Sequence, residues 1–123
     1  MKARKVAVLT PRLPDSGIDS GGVWEACGYE VAVAKGLGCT SIKDIDNLSE
    51  AILRDGLSEL ARSDADVILA TGSEIALIDM IEEAEFWTGK PILHLNAVLV
   101  WYALRDSGFD DRLEDRGTLL RAY

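Results

Sequence analysis

Histidine occurs once in these 123 residues, as His94, and cysteine twice, as Cys27 and Cys39. Two cysteines cannot build a disulfide framework, and neither their spacing nor a solitary histidine supplies a metal-ligand set. No metal and no cofactor are therefore expected. Basic residues are also scarce: 13 Lys and Arg stand against 21 Asp and Glu, a formal charge of -8. Nucleic acid and anionic membrane surfaces need a basic face, so neither is expected as a partner. No apolar run approaches the roughly 20 residues that span a bilayer. The basic start Met1-Lys2-Ala3-Arg4-Lys5 precedes only Val6 to Leu9, too short a run for a signal-peptide core, and a cytoplasmic location is expected. Internal repeats, linkers and low-complexity segments are absent.

What remains is an ordinary globular composition, 48% hydrophobic and 28% charged, at a length that suits one domain over residues 1–123. Lys5 to Thr10 is a continuous apolar run, the pattern of a central parallel strand buried on both faces. Thr10 to Gly22 is polar and rich in Pro and Gly, with Pro11, Pro14, Asp15, Ser16, Gly17 and Gly21, and predicts a loop. Gly22 to Cys27 predicts a short helix closed by Gly28. Tyr29 to Lys35 predicts a second strand, with Gly36 to Ser41 as a polar turn at its end. Ile42 to Leu48 reads as connective, with Asp44, Asp46 and Asn47 as turn formers. Ser49 predicts an N-cap for a helix over Glu50 to Ala61, in which Gly56 is a flaw.

The remainder repeats one pattern. Val67 to Thr71 predicts a strand, Gly72-Ser73-Glu74 a tight turn, and Ile75 to Trp87 a helix. After the Gly89-Lys90-Pro91 break, Pro91 to Leu95 predicts a further strand, with Asn96 opening a helix that runs to Arg105. Phe109 to Tyr123 is mixed. The order predicts a single doubly wound, flavodoxin-like α/β domain with a four-stranded parallel sheet. Ligands of such sheets bind outside the carboxyl ends of the strands.

Several residues at that edge can meet an anion. A helix beginning after Ser73 would present free backbone N–H groups with the positive end of its dipole, and Asn96 would do the same for the next helix. Thr10, Thr71, Ser73 and Asn96 add neutral hydrogen-bonding groups, and Arg12 adds a fork that can grip a carboxylate. Each has a local alternative: Ser73 and Asn96 as N-caps, Arg12 as a solvated loop charge. His94 reads either as a general base at the edge or as a strand histidine hydrogen-bonded in place. Cys39 reads either as a reactive thiol at the same sheet end or as a plain loop cysteine. Cys27 reads as a small buried hydrophobe. Trp24, Trp87, Trp101 and Tyr102 read as core or interface.

An ordered set of segments resembles the Asp/Glu racemase superfamily, in its maleate isomerase and arylmalonate decarboxylase branch. It comprises Val6 to Pro11, Gly28 to Val31, Gly36-Leu37-Gly38, Asp64-Ala65-Asp66, Ile78-Asp79, Gly89-Lys90-Pro91, Asn96, Trp101, Ala103-Leu104-Arg105 and Arg116 to Arg121. The match is to the second of the two similar lobes of such proteins. The resemblance implies a small carboxylate held in a cleft between sheet ends and a cysteine thiol from each lobe. It implies a carboxylate contact at Asn96. Counting back from Asp79, the cysteine position falls on Gly72, and a tyrosine position falls on Arg12. Glycine cannot serve as acid, base or nucleophile. The sequence therefore predicts an isomerase-like carboxylate binder lacking the two-cysteine chemistry. The alternative is a non-catalytic regulatory or structural subunit. Either acts as a homo-oligomer or with a separate partner lobe.

Overall fold

The computed structural model describes residues 1–12 and 22–123. The expected loop around Pro14, Asp15, Ser16, Gly17 and Gly21 lies outside them. The order along the chain is β1 (Lys5–Arg12), α1 (Gly22–Ala26), β2 (Glu30–Cys39), α2 (Ile42–Asp46), α3 (Glu50–Ala61) and β3 (Val67–Ala70). A 3-10 turn (Ile78–Met80) then leads into α4 (Ile81–Thr88), β4 (Ile92–His94), α5 (Leu95–Asp106) and α6 (Thr118–Ala122). The four strands form one sheet in the order β2-β1-β3-β4, and every pairing is parallel. This is the expected α/β, flavodoxin-like architecture. The strand order reverses between β1 and β3, so the crevice between their carboxyl ends is the topological switch point.

Period-2 alternation sorts the strand side chains onto two unequal faces. Ala7, Leu9, Ile68, Ala70 and Ile92 join Leu53, Leu57 and Leu60 of α3 and Ile81 and Ala84 of α4 in the larger cluster. Val6, Val8, Val67 and Leu69 form the smaller one, with Trp24 of α1 and Leu93 packed against it. Helix α5 lies along the β4 margin, with Ala97 and Trp101 reaching the larger cluster. At the amino ends of the strands, the Asp66 carboxylate accepts from the Arg4 and Lys5 amides, 2.9 Å each. The Lys5 ammonium pairs with Asp64 and Glu30.

Four expectations need correction. Gly36 to Cys39 continues β2 instead of turning: β1 runs on through Pro11 to Arg12, which pairs with Cys39 across a register shift. Gly38, at φ +78°, supplies the backbone conformation that the irregularity needs. Residues 42–46 are helical, because Ser41 and Asp44 form a reciprocal capping box. Helix α4 begins at Ile81, not Ile75. Ile75 and Leu77 are both buried, and the Leu77 amide donates to the Ile75 carbonyl at 2.9 Å, so a tight turn and not a helix carries this segment into the core. The mixed carboxyl-terminal stretch ends in α6.

Helix α3 has the expected bounds, and the Ser49 hydroxyl accepts from the Ile52 amide. Gly56 is the closest point of this helix to the sheet: a Cβ there would stand 3.2 Å from Leu9 and 3.3 Å from Leu37. The apparent flaw is a contact requirement.

Candidate functional site

The switch point is built from the end of β1, the turn after β3 and the start of α5. Leu9 pairs with Ala70, and the Leu9 carbonyl accepts from both the Thr71 amide (2.9 Å) and the Thr71 hydroxyl (3.0 Å). Thr71 therefore spends its hydroxyl proton on the fold and presents lone pairs outward. Gly72 follows at φ +94°, and a Cβ there would lie 2.9 Å from Cγ of Pro11. Only glycine fits this close approach without displacing β1.

The carbonyls of the turn are tied inward. His94 Nε2 lies 3.3 Å from the Gly72 carbonyl oxygen, which also accepts from the Ile75 amide. Asn96 Nδ2 donates to the Ser73 carbonyl at 3.0 Å. The amides of Gly72, Ser73 and Glu74 have no acceptor among the described residues. Beside them α5 starts with no side-chain cap: its N-cap residue is His94, and the imidazole makes no capping bond. First-turn N–H groups left this way, backed by the helix dipole, favour a negative charge. The edge thus offers two adjacent sets of donors, stitched together by the Asn96–Ser73 bond.

Thr10, Arg12, Thr71, Gly72, Ser73 and Asn96 all stand at this carboxyl edge. Alternation places Thr10 on the face of Val6 and Val8. Thr10 is 6% exposed, and its hydroxyl oxygen receives the Arg12 amide at 3.5 Å. Arg12 is half-buried, with no carboxylate paired to it among the described residues. Two donor expectations shift. The helix expected behind Ser73 is absent, so the positive dipole comes from α5. Asn96 lies inside α5 and braces the turn instead of capping the helix.

The candidate reactive groups take different places. His94 ends β4 at this edge but is fully buried on the face of Ile92, and burial lowers its pKa below the usual 6.5. With Nε2 directed at a carbonyl, that nitrogen carries the proton, while Nδ1 is buried with no partner among the described residues. This is a neutral latch on the Gly72 turn, not an edge base titrating near neutrality. Cys39 ends β2 and is 5% exposed, and burial pushes its thiol pKa up. A thiol so placed is held in its unreactive form. Cys27, expected to be buried, is exposed beside α1. No cluster of His, Cys, Asp and Glu suited to a metal occurs among the described residues. No helix there is long and apolar enough to cross a membrane.

Sequence reasoning named the start of this helix as a donor set but placed its cap at Asn96, two residues beyond the observed N-cap, His94. The signal was His94 itself, a poor capping residue directly before the helical run.

No protein-family model and no curated protein sequence matches the chain. Solved structures do. A maleate isomerase from Pseudomonas putida S16 superposes with a TM-score of 0.86 at 22% identity, over 98% of this chain and 49% of that one. A maleate cis-trans isomerase from Nocardia farcinica, carrying a covalently bound succinylcysteine intermediate, gives 0.90 at 20% identity over 98% and 50%. An unliganded arylmalonate decarboxylase gives 0.82 at 23% identity over 96% and 53%. The chain spans about half the length of each. In fold, the chain is similar to about half the length of these maleate isomerases and this arylmalonate decarboxylase, the branch that the sequence resemblance pointed to.

Proposed function

We propose that residues 1–123 form a single isomerase-like α/β lobe that binds a small carboxylate at the switch point without the thiol chemistry of the two-cysteine proteins. One observation carries this reading: the amides of Gly72, Ser73 and Glu74, without an acceptor among the described residues, lie next to the uncapped start of α5. Two donor sets with no internal acceptor favour a carboxylate over a neutral ligand. Arg12 supplies the only formal positive charge at this rim among the described residues, and the Thr10 hydroxyl a further donor. Position 72 has no side chain, His94 is neutral and buried and Cys39 is buried, so none of these three supplies an acid, base or nucleophile of ordinary reactivity.

Thermal unfolding tests the reading, since a ligand that binds only the native state raises the apparent stability. Millimolar maleate, malonate, aspartate or glutamate should raise Tm by a few degrees, and Arg12→Ala should abolish the rise. Tm unchanged by every one of these acids contradicts the proposal. Solvent deuterium exchange at the α-carbon of the same acids should be no faster than in the absence of protein.

A second reading, a subunit that works in contact with another lobe, is favoured by the outer face of α5. Leu95, Leu99 and Tyr102 recur at i, i+4 and i+7 with 41%, 56% and 61% of their surface exposed. A two-fold contact uses such a stripe twice. Sedimentation should then give twice the chain mass, and Leu99→Glu should return the protein to one chain. A monomer at all concentrations rules this reading out for two copies.

A further inference from the structure

An apolar groove of about 350 Å³ runs along the smaller-cluster face of the sheet, at the lower end of the size range of small-molecule sites. Val67 and Leu69 of β3 and Leu93 of β4 form its floor, with Trp24 and Tyr29 on one side and Leu95 and Val98 of α5 on the other. From Val67 to Thr71 the strand advances about 13 Å, and the lining changes character along the way. Thr71 lines the carboxyl end of the groove, and the free amides of Gly72, Ser73 and Glu74 follow it directly. Leu95, the first residue of the uncapped α5, also lines that end. An apolar trough that ends at Thr71 and Leu95, the residues next in the chain to the two donor sets, fits a molecule with the same two parts.

We infer that the groove and the rim together form one site for a linear alkyl monocarboxylate, its chain lying along β3 and its carboxylate on the Gly72–Glu74 amides and the start of α5. The inference rests on the proposed carboxylate rim and adds the groove as the determinant of ligand class. A second copy of the chain is the competing occupant, given the apolar stripe on α5. The polar end of the groove favours the amphiphile, because a packed apolar helix from another chain would leave those amides unsatisfied.

Isothermal titration of the full chain with butanoate, hexanoate, octanoate, 1-octanol and maleate tests this. Each added methylene should tighten alkanoate binding about fourfold until the groove is filled. Octanol should bind at least tenfold more weakly than octanoate. Leu93→Trp, which fills the groove from its half-buried floor, should weaken octanoate at least tenfold and leave maleate unchanged. Val98→Trp serves the same purpose from α5, with circular dichroism confirming the fold of each variant. A flat alkanoate series, octanol equal to octanoate, or octanoate unaffected by both tryptophan variants overturns the inference. If maleate still binds in those cases, the rim stands and only the groove is lost; if no acid of any length binds, both fall. A dimer in sedimentation that Leu93→Trp dissociates, with no octanoate bound, assigns the groove to a second copy and overturns the inference as well.

Discussion

Gly72 and His94 act as a pair on the turn that defines the site. The glycine lets the turn after β3 approach Pro11, where a Cβ would stand 2.9 Å from the proline ring, and the imidazole holds the glycine carbonyl. Gly72→Ala combines a positive φ with that collision, and should cost about 1–3 kcal/mol in denaturant unfolding. Gly72→Cys should lose as much and gain no reactive thiol. Burial of His94 also sets the acid side of the stability profile. Below about pH 6.5 the unfolded chain protonates this histidine, while the buried ring, with its lowered pKa, stays neutral. The unfolded state then binds more protons, so stability falls as pH drops through this range toward the folded value. Cys39 works at the other end. Its thiol is held protonated in the fold, so above about pH 9 the unfolded state binds fewer protons and stability falls as pH rises. Urea midpoints should form a plateau between these limits. The decline between pH 6.5 and pH 5 should be missing in His94→Gln, whose amide can still donate to the Gly72 carbonyl.

Between elements, the carboxyl-terminal segment is fixed by two glutamates of α4. Glu85 accepts from the Ile92 amide at 2.8 Å and from the Thr118 amide and hydroxyl at 2.7 and 2.8 Å. Glu82 accepts from the Gly117 amide and pairs with Arg121. Glu85→Ala leaves partly buried amides of β4 and α6 without an acceptor, and should cost about 1–3 kcal/mol. It should also raise amide exchange at Thr118 before that of α3. These long-range clamps are where sequence reading ran out. The four strands and the Ser49-capped α3 were legible, because apolar runs and local caps are local signals. The Ser41–Asp44 box went unread, because Asp44, Asp46 and Asn47 together read as turn formers. Gly36-Leu37-Gly38 reads as a turn by composition, and only pairing with an extended β1 makes it strand. The run from Ile75 looked helical because Ile75, Leu77 and Ile78 are all apolar. What decides against it is the burial of Ile75 and Leu77, which depends on the sheet beneath them.

For the whole molecule, the convergence of Thr10, Gly72 and Asn96 followed from topology, since consecutive parallel strands put their following turns at one edge. The uncapped α5 and the fate of His94 did not, because both depend on which side of β4 the imidazole faces. The chain spans about half the length of each of these structures. The account stands or falls on the amides of that edge. Backbone amide NMR during a titration with malonate tests them directly. The expected result is saturable shifts of the Gly72, Ser73, Glu74 and α5 first-turn resonances, with Arg12→Ala weakening the response at least tenfold. Shifts centred elsewhere, or none at these four places while malonate binds, would contradict it.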